Sequence, residues 1–168
     1  MLSRCIIGLA MAIVLCAIIK VYEVVSKKKI TIWKYLLAAY LCMLFAVTLF
    51  TESFGGGIDK FKGYQLVPFK TIGTQLANGN YFQLAGNLIL LAPMVFLLYK
   101  CFKKLSLAAV VVISAVTSVG IELLQFAEVK WIGAYDRGLD VDDLILNILG
   151  IIIMAVFVYL LGRKKETA

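Results

Sequence analysis

Leu105–Phe126 reads L-S-L-A-A-V-V-V-I-S-A-V-T-S-V-G-I-E-L-L-Q-F, an unbroken apolar run whose one charge is Glu122. As a helix rising 1.5 Å per residue, it is about 33 Å long, enough to cross the roughly 30 Å hydrocarbon layer of a bilayer. Four more runs of comparable length and polarity flank it, at about residues 5–22, 32–51, 83–99 and 142–161. Lipid offers no hydrogen bonds to a bare backbone, so such runs cross it as helices that satisfy their own peptide groups. The expected fold is therefore all-α: one domain, residues 1–168, built as a polytopic bundle of five transmembrane helices.

Composition points the same way. The chain is 62% hydrophobic and 16% charged, proportions far from those of a soluble domain. Its net charge of +7 does not suggest nucleic acid, because the basic residues stand in short clusters beside apolar runs, as membrane anchors do. Cys5, Cys16, Cys42 and Cys101 lie in or at the ends of those runs and outline no disulfide framework or metal spacing. The chain has no histidine. Imidazole bases, catalytic triads and most zinc sites are thereby excluded, and no cofactor is expected.

Outside the spans, the first run has Arg4 before it and no small-residue cleavage site after it, so it reads as an uncleaved span. A long polar loop, Glu52–Phe82, contains the flexible triplet Gly55-Gly56-Gly57 and the helix-breaking pair Pro68-Phe69. Pro93 should kink the third span. Lysines and arginines set the orientation. Eleven (Lys20, Lys27, Lys28, Lys29, Lys34, Lys100, Lys103, Lys104, Arg163, Lys164, Lys165) fall on one side, against six (Arg4, Lys60, Lys62, Lys70, Lys130, Arg137) on the other. The positive-inside rule then places the N-terminus and both long loops outside and the C-terminus in the cytoplasm.

Polar residues within the spans carry the remaining information. Ser114, Ser118, Glu122 and Gln125 share one face of the fourth span, and Asp140, Asp143, Asn147 and Gly150 share one face of the fifth and its approach. In the third, Gln83 and Asn87 are a turn apart. Glu122, Asn87 and Asn147 each lie four or five residues from the same surface, roughly 6–8 Å deep. A carboxyl group inside a span is costly, so it should face the bundle and find partners. Arg137 is the expected partner for Glu122, Asp140 or Asp143. These stripes imply a polar pocket among spans three to five, open to the outer face. The alternative is that Ser, Asn and Gln act only as interhelical glue, with Gly150 permitting close packing. Asp142 lies off the stripe and reads as a solvated residue.

These residues fall in segments that resemble the VanZ-like family of bacterial membrane proteins. Leu66-Val67-Pro68-Phe69-Lys70-Thr71-Ile72 is similar to that family's N-P-F loop, with Val67 in place of a polar residue. Gly86-Asn87 through Pro93 resembles G-N-x-x-x-F-x-P, and Ile121-Glu122-Leu123-Leu124-Gln125 resembles I-E-x-x-Q. Arg137 through Gly150 resembles R-x-x-D-x-D-D-x-x-x-N-x-x-G. The resemblance runs from about Leu66 to the end of the fifth span. Two departures bear on helix packing: Pro93-Met94-Val95 stands where the family often has Pro-x-Gly, and Ile151-Ile152-Ile153-Met154 stands where a further glycine is common.

The resemblance implies a multi-pass protein of the bacterial cytoplasmic membrane, associated in the namesake with lowered susceptibility to the glycopeptide teicoplanin. It implies no reaction. Three functional readings follow. In the first, the pocket of Asn87, Glu122, Gln125, Arg137, Asp140, Asp143 and Asn147, with Pro68, Phe69, Pro93 and Gly150 shaping it, binds a cell-wall precursor, a lipid-linked molecule or a glycopeptide. In the second, the chain is an intramembrane enzyme acting on a lipid head group, with Glu122 as acid or base and Asp140 and Asp143 holding Mg²⁺. The third is a transporter or a helper subunit of a larger complex.

Overall fold

A computed structural model describes residues 2–49, 64–132 and 138–166. The Gly55–Gly57 triplet and Arg137 lie outside them. Within the described residues, five helices are long and apolar enough to cross a membrane: Ser3–Ser26, Ile32–Leu49, Tyr81–Cys101, Leu107–Trp131 and Val141–Gly162. We label the elements α1 (Leu2–Ser26), α2 (Ile32–Leu49), β1 (Tyr64–Gln65), α3 (Lys70–Ala77), α4 (Tyr81–Leu90), α5 (Ala92–Cys101), α6 (Leu107–Ile132), β2 (Leu139–Asp140) and α7 (Val141–Glu166).

The core lies where α2, α5, α6 and α7 meet, around Leu91, Val95, Val110 and Ile151, none of which has exposed surface. Side chains facing away from it, such as Val112, Val116, Ile153 and Phe157, are half exposed or more. An outward apolar surface of this kind is what lipid solvates. Helix α1 is peripheral and packs chiefly on α2, where a Cβ at Gly8 would crowd Met43 and Ala46.

The third span is two helices rather than one. Pro93 has no N–H to give the carbonyl of Ile89, and the ladder is interrupted at Leu91, where the Met94 N–H turns to the Leu91 carbonyl instead. This frees the Leu90 carbonyl, which accepts a hydrogen bond of 2.7 Å from the Tyr40 hydroxyl on α2. The break is thus held from a neighbouring span. Tyr40→Phe leaves that carbonyl without its partner and should cost about 1 kcal/mol, read as a lower unfolding temperature in detergent with the helical content unchanged.

Two features depart from an all-α reading with an irregular loop. Tyr64 and Gln65 pair in parallel with Leu139 and Asp140, a ladder too short to leave a periodic signature in the sequence. Immediately after Pro68-Phe69, the chain also turns into a two-turn helix, α3. Phe69 adopts a left-handed conformation (φ 65°) and makes no side-chain cap of its own. The cap comes instead from a distant part of the chain.

That part is Asp142, in the first turn of α7. Its Oδ1 accepts the Phe69 N–H at 2.6 Å, and its Oδ2 accepts the Ile72 N–H at 3.0 Å. Ile72 is the third residue of α3, so Asp142 fills the role that an N-cap side chain usually fills locally. Asp142 is 0% exposed. Reading it as solvated is therefore wrong: its angular position off the Asp143 stripe directs it at the 66–72 loop rather than at water.

Candidate functional site

The ends of α2, α4 and α6, the start of α7 and the β1–β2 ladder surround a cleft of about 690 Å³ at one end of the bundle. Its lining includes Asn87 and Gln83 from α4, Gln125 from α6, Asp140 and Asp143, and Gln65 from β1. Val47, Leu90 and Phe82 add apolar wall. Arg4 from α1 and Thr48 from α2 belong to the same lining. The first two spans thus contribute to the cleft through their ends. Neither span carries a polar stripe that points to the cleft.

The spacing-derived residues occupy three levels. Asn87, Gln125, Asp140 and Asp143 line the cleft. Asn87 donates to Asp143 Oδ1, joining α4 to α7, and the Gln125 side chain donates to the Thr48 carbonyl at 3.1 Å, joining α6 to α2. Glu122 lies behind this layer, 4% exposed, where Oε2 accepts the Asp140 N–H at 2.9 Å. It therefore fixes the loop that presents Asp140. Asn147 is a turn deeper than Asp143 and 1% exposed, and its side-chain oxygen has no hydrogen-bond partner among the described residues. Ser118 Oγ on α6 is likewise buried without one, whereas Ser114 returns its hydroxyl hydrogen to the Val110 carbonyl.

Pro68 and Phe69 enter the site through the backbone. With Asp142 holding the Phe69 and Ile72 N–H groups, Thr71 donates to Asp140 Oδ2 at 2.6 Å, and Asp140 Oδ1 accepts the Asp142 N–H at 2.9 Å. The proline–phenylalanine loop and the Asp140–Asp143 segment are thereby locked together. Each oxygen of Asp140 already accepts a hydrogen bond. Among the described residues, no group of three or more His, Cys, Asp and Glu side chains is placed to hold a metal ion.

At Gly150, α7 packs directly against the backbone of α4. A Cβ there would run into the backbone carbonyl of Leu88. Glycine thus lets the helix carrying Asn87 and the helix carrying Asp143 come close enough for that pair to bond.

The motifs that meet here are those on which the family resemblance rests, and the VanZ/LLP1 family matches residues 37–162. The chain belongs to the VanZ/LLP1 family. The match begins within α2, well before Leu66, so the family region includes the helix that supplies Val47 and Thr48 as well as the motif-bearing spans. Arg4 lies before the matched region. No curated protein and no solved structure matches the chain.

Proposed function

We propose that this VanZ/LLP1 chain is a multi-pass protein of the bacterial cytoplasmic membrane whose cleft faces outward and binds the polar part of an envelope amphiphile, a lipid-linked or cell-wall-related molecule. One observation carries the reading: acidic, amide and guanidinium side chains share a cleft with an apolar wall at one end of a lipid-facing bundle. Asp143 and Asp140 suit amines and hydroxyls, and Val47, Leu90 and Phe82 suit an acyl chain. The lysine bias toward the opposite end supports an outward cleft. In the family's namesake, the physiological outcome is lower susceptibility to teicoplanin, and we extend that outcome to this chain.

The test compares growth in teicoplanin of cells expressing the wild-type chain, Asn87→Ala or Asp143→Asn at equal membrane levels. Loss of a charge-assisted contact should weaken ligand binding about tenfold or more, so both variants should lose most of the protection. Glu122→Gln retains an acceptor for the Asp140 N–H and should keep the fold. Glu122→Ala leaves that N–H unpaired at about 1–3 kcal/mol. Protection by Asn87→Ala and Asp143→Asn equal to that of wild type would refute the cleft as the seat of function.

Acid–base chemistry on a lipid head group is a second reading, favoured by the approach of three carboxyl groups: Glu122 on the Asp140 backbone, and Asp140 and Asp143 in the cleft. It requires turnover that the binding reading does not.

A further inference from the structure

At the opposite end of the bundle, the last turn of α5 and the last turns of the α7 span enclose a second cavity of about 420 Å³, lined by Phe96, Tyr99, Lys100, Lys103, Val158, Leu161 and Gly162. Among the described residues, its lining contains two ammonium groups, a phenol hydroxyl and no acid. Three apolar side chains complete it, and Leu161 is also part of the exposed apolar surface of α7 together with Phe157 and Leu160. The pocket is therefore continuous with the face that lipid covers.

Lys100 is held in place here. Its ammonium lies 5.7 Å from the Trp33 ring centre and 5.4 Å from that of Phe96. The two rings meet edge to face with centres 5.7 Å apart. A cation supported on two aromatic faces loses less freedom on meeting an anion than one on a free side chain. Space lies beside Gly162: a Cβ there would meet only the Tyr99 hydroxyl, at an ordinary contact distance of 3.7 Å, so a larger side chain at this position would occupy the cavity.

We infer that this cavity is a binding site for an anionic phospholipid, its phosphate between Lys100 and Lys103 and an acyl chain along Phe96, Val158 and Leu161. The charge of the lining requires an anion, and its apolar part at the bundle surface requires a chain attached to that anion. Basic pockets between membrane helices are suited to such head groups. The site is separate from the cleft and does not rest on the reading given for it. It gives two lysines of the topology-setting cluster a local partner.

The test uses the purified full chain in detergent, titrated with dioleoylphosphatidylglycerol or dioleoylphosphatidylcholine, with bound lipid counted by native mass spectrometry. We expect at least a tenfold preference for the glycerol lipid. The double variant Lys100→Gln/Lys103→Gln should weaken its binding by roughly fivefold per lysine. The control Lys27→Gln/Lys28→Gln/Lys29→Gln removes more charge from the same end of the bundle and should stay within about twofold of wild type. Gly162→Leu fills the cavity without altering charge and should also lose the lipid, which keeps the test decisive if the lysine variant folds poorly. Equal binding of the two lipids would overturn the proposal, as would equal loss in the control and pocket variants. Displacement of the lipid by millimolar inorganic phosphate would also overturn it, by showing a plain anion site.

Discussion

Gly150→Ala is expected to be the most damaging single-atom addition in the described fold. The new methyl would be directed at the Leu88 carbonyl of α4, a backbone atom in a helix that cannot turn aside as the end of a flexible side chain can. Overfilling a packed core costs about 1–3 kcal/mol when side chains absorb it. Here two helices must separate, so a loss on the order of 3 kcal/mol or more is expected. Separation would also pull Asn87 from Asp143, uncoupling α4 from the start of α7. The readout is the unfolding temperature and the monodisperse fraction in detergent, with Gly120→Ala as control because a Cβ there meets nothing within 4 Å. A Gly150→Ala protein as stable as the Gly120→Ala protein would show that the helices do not approach so closely in the membrane.

Asp142→Ala should come next in severity. It strips the acceptors from the Phe69 and Ile72 N–H groups and leaves the Phe69 loop without its anchor on α7. Each donor left without a partner costs about 1–3 kcal/mol, so a total on the order of 2–6 kcal/mol is expected from the pair. The damage should be local before it is global. Limited proteolysis should cut within residues 64–80 of the variant under conditions that leave the wild type intact there, while the spans keep their helical signal. Asp142→Asn keeps the shape but turns one acceptor into a donor facing an N–H, and should fall between alanine and wild type. If alanine leaves both stability and cleavage unchanged, the clamp has no structural weight.

The two substitutions divide what a single sequence reveals from what it conceals. Hydropathy alone locates the spans, because length and polarity are local properties, and Pro93 announces the interruption near Leu91. The convergence of Asn87, Asp140 and Asp143 also follows from helical spacing plus the alternating direction of successive spans. Asp142 was hidden because spacing reports the face on which a residue lies, while its partners are 70 and 73 positions away in a loop without periodicity. For Arg4 and Thr48 the difficulty was different: α1 and α2 contribute through their ends, and an isolated polar residue at a span end looks like ordinary flanking chemistry. The close approach at Gly150 needed the partner's backbone. A glycine among leucines and isoleucines does not say which carbonyl it faces.

The clamp between the Phe69 loop and Asp142 also imposes an order on biogenesis. The chain is made from its N-terminus, so α1 to α6 emerge while the N–H groups of Phe69 and Ile72 and the hydroxyl of Thr71 still await their acceptors. Among the described residues, strand β1 gains its pairing partner only when Leu139 and Asp140 follow. Arrival of the fifth span is therefore the step that fastens the loop, seats Asn87 against Asp143 and encloses the cleft. Until then, the earlier helices lack the contacts with α7 that close the cleft.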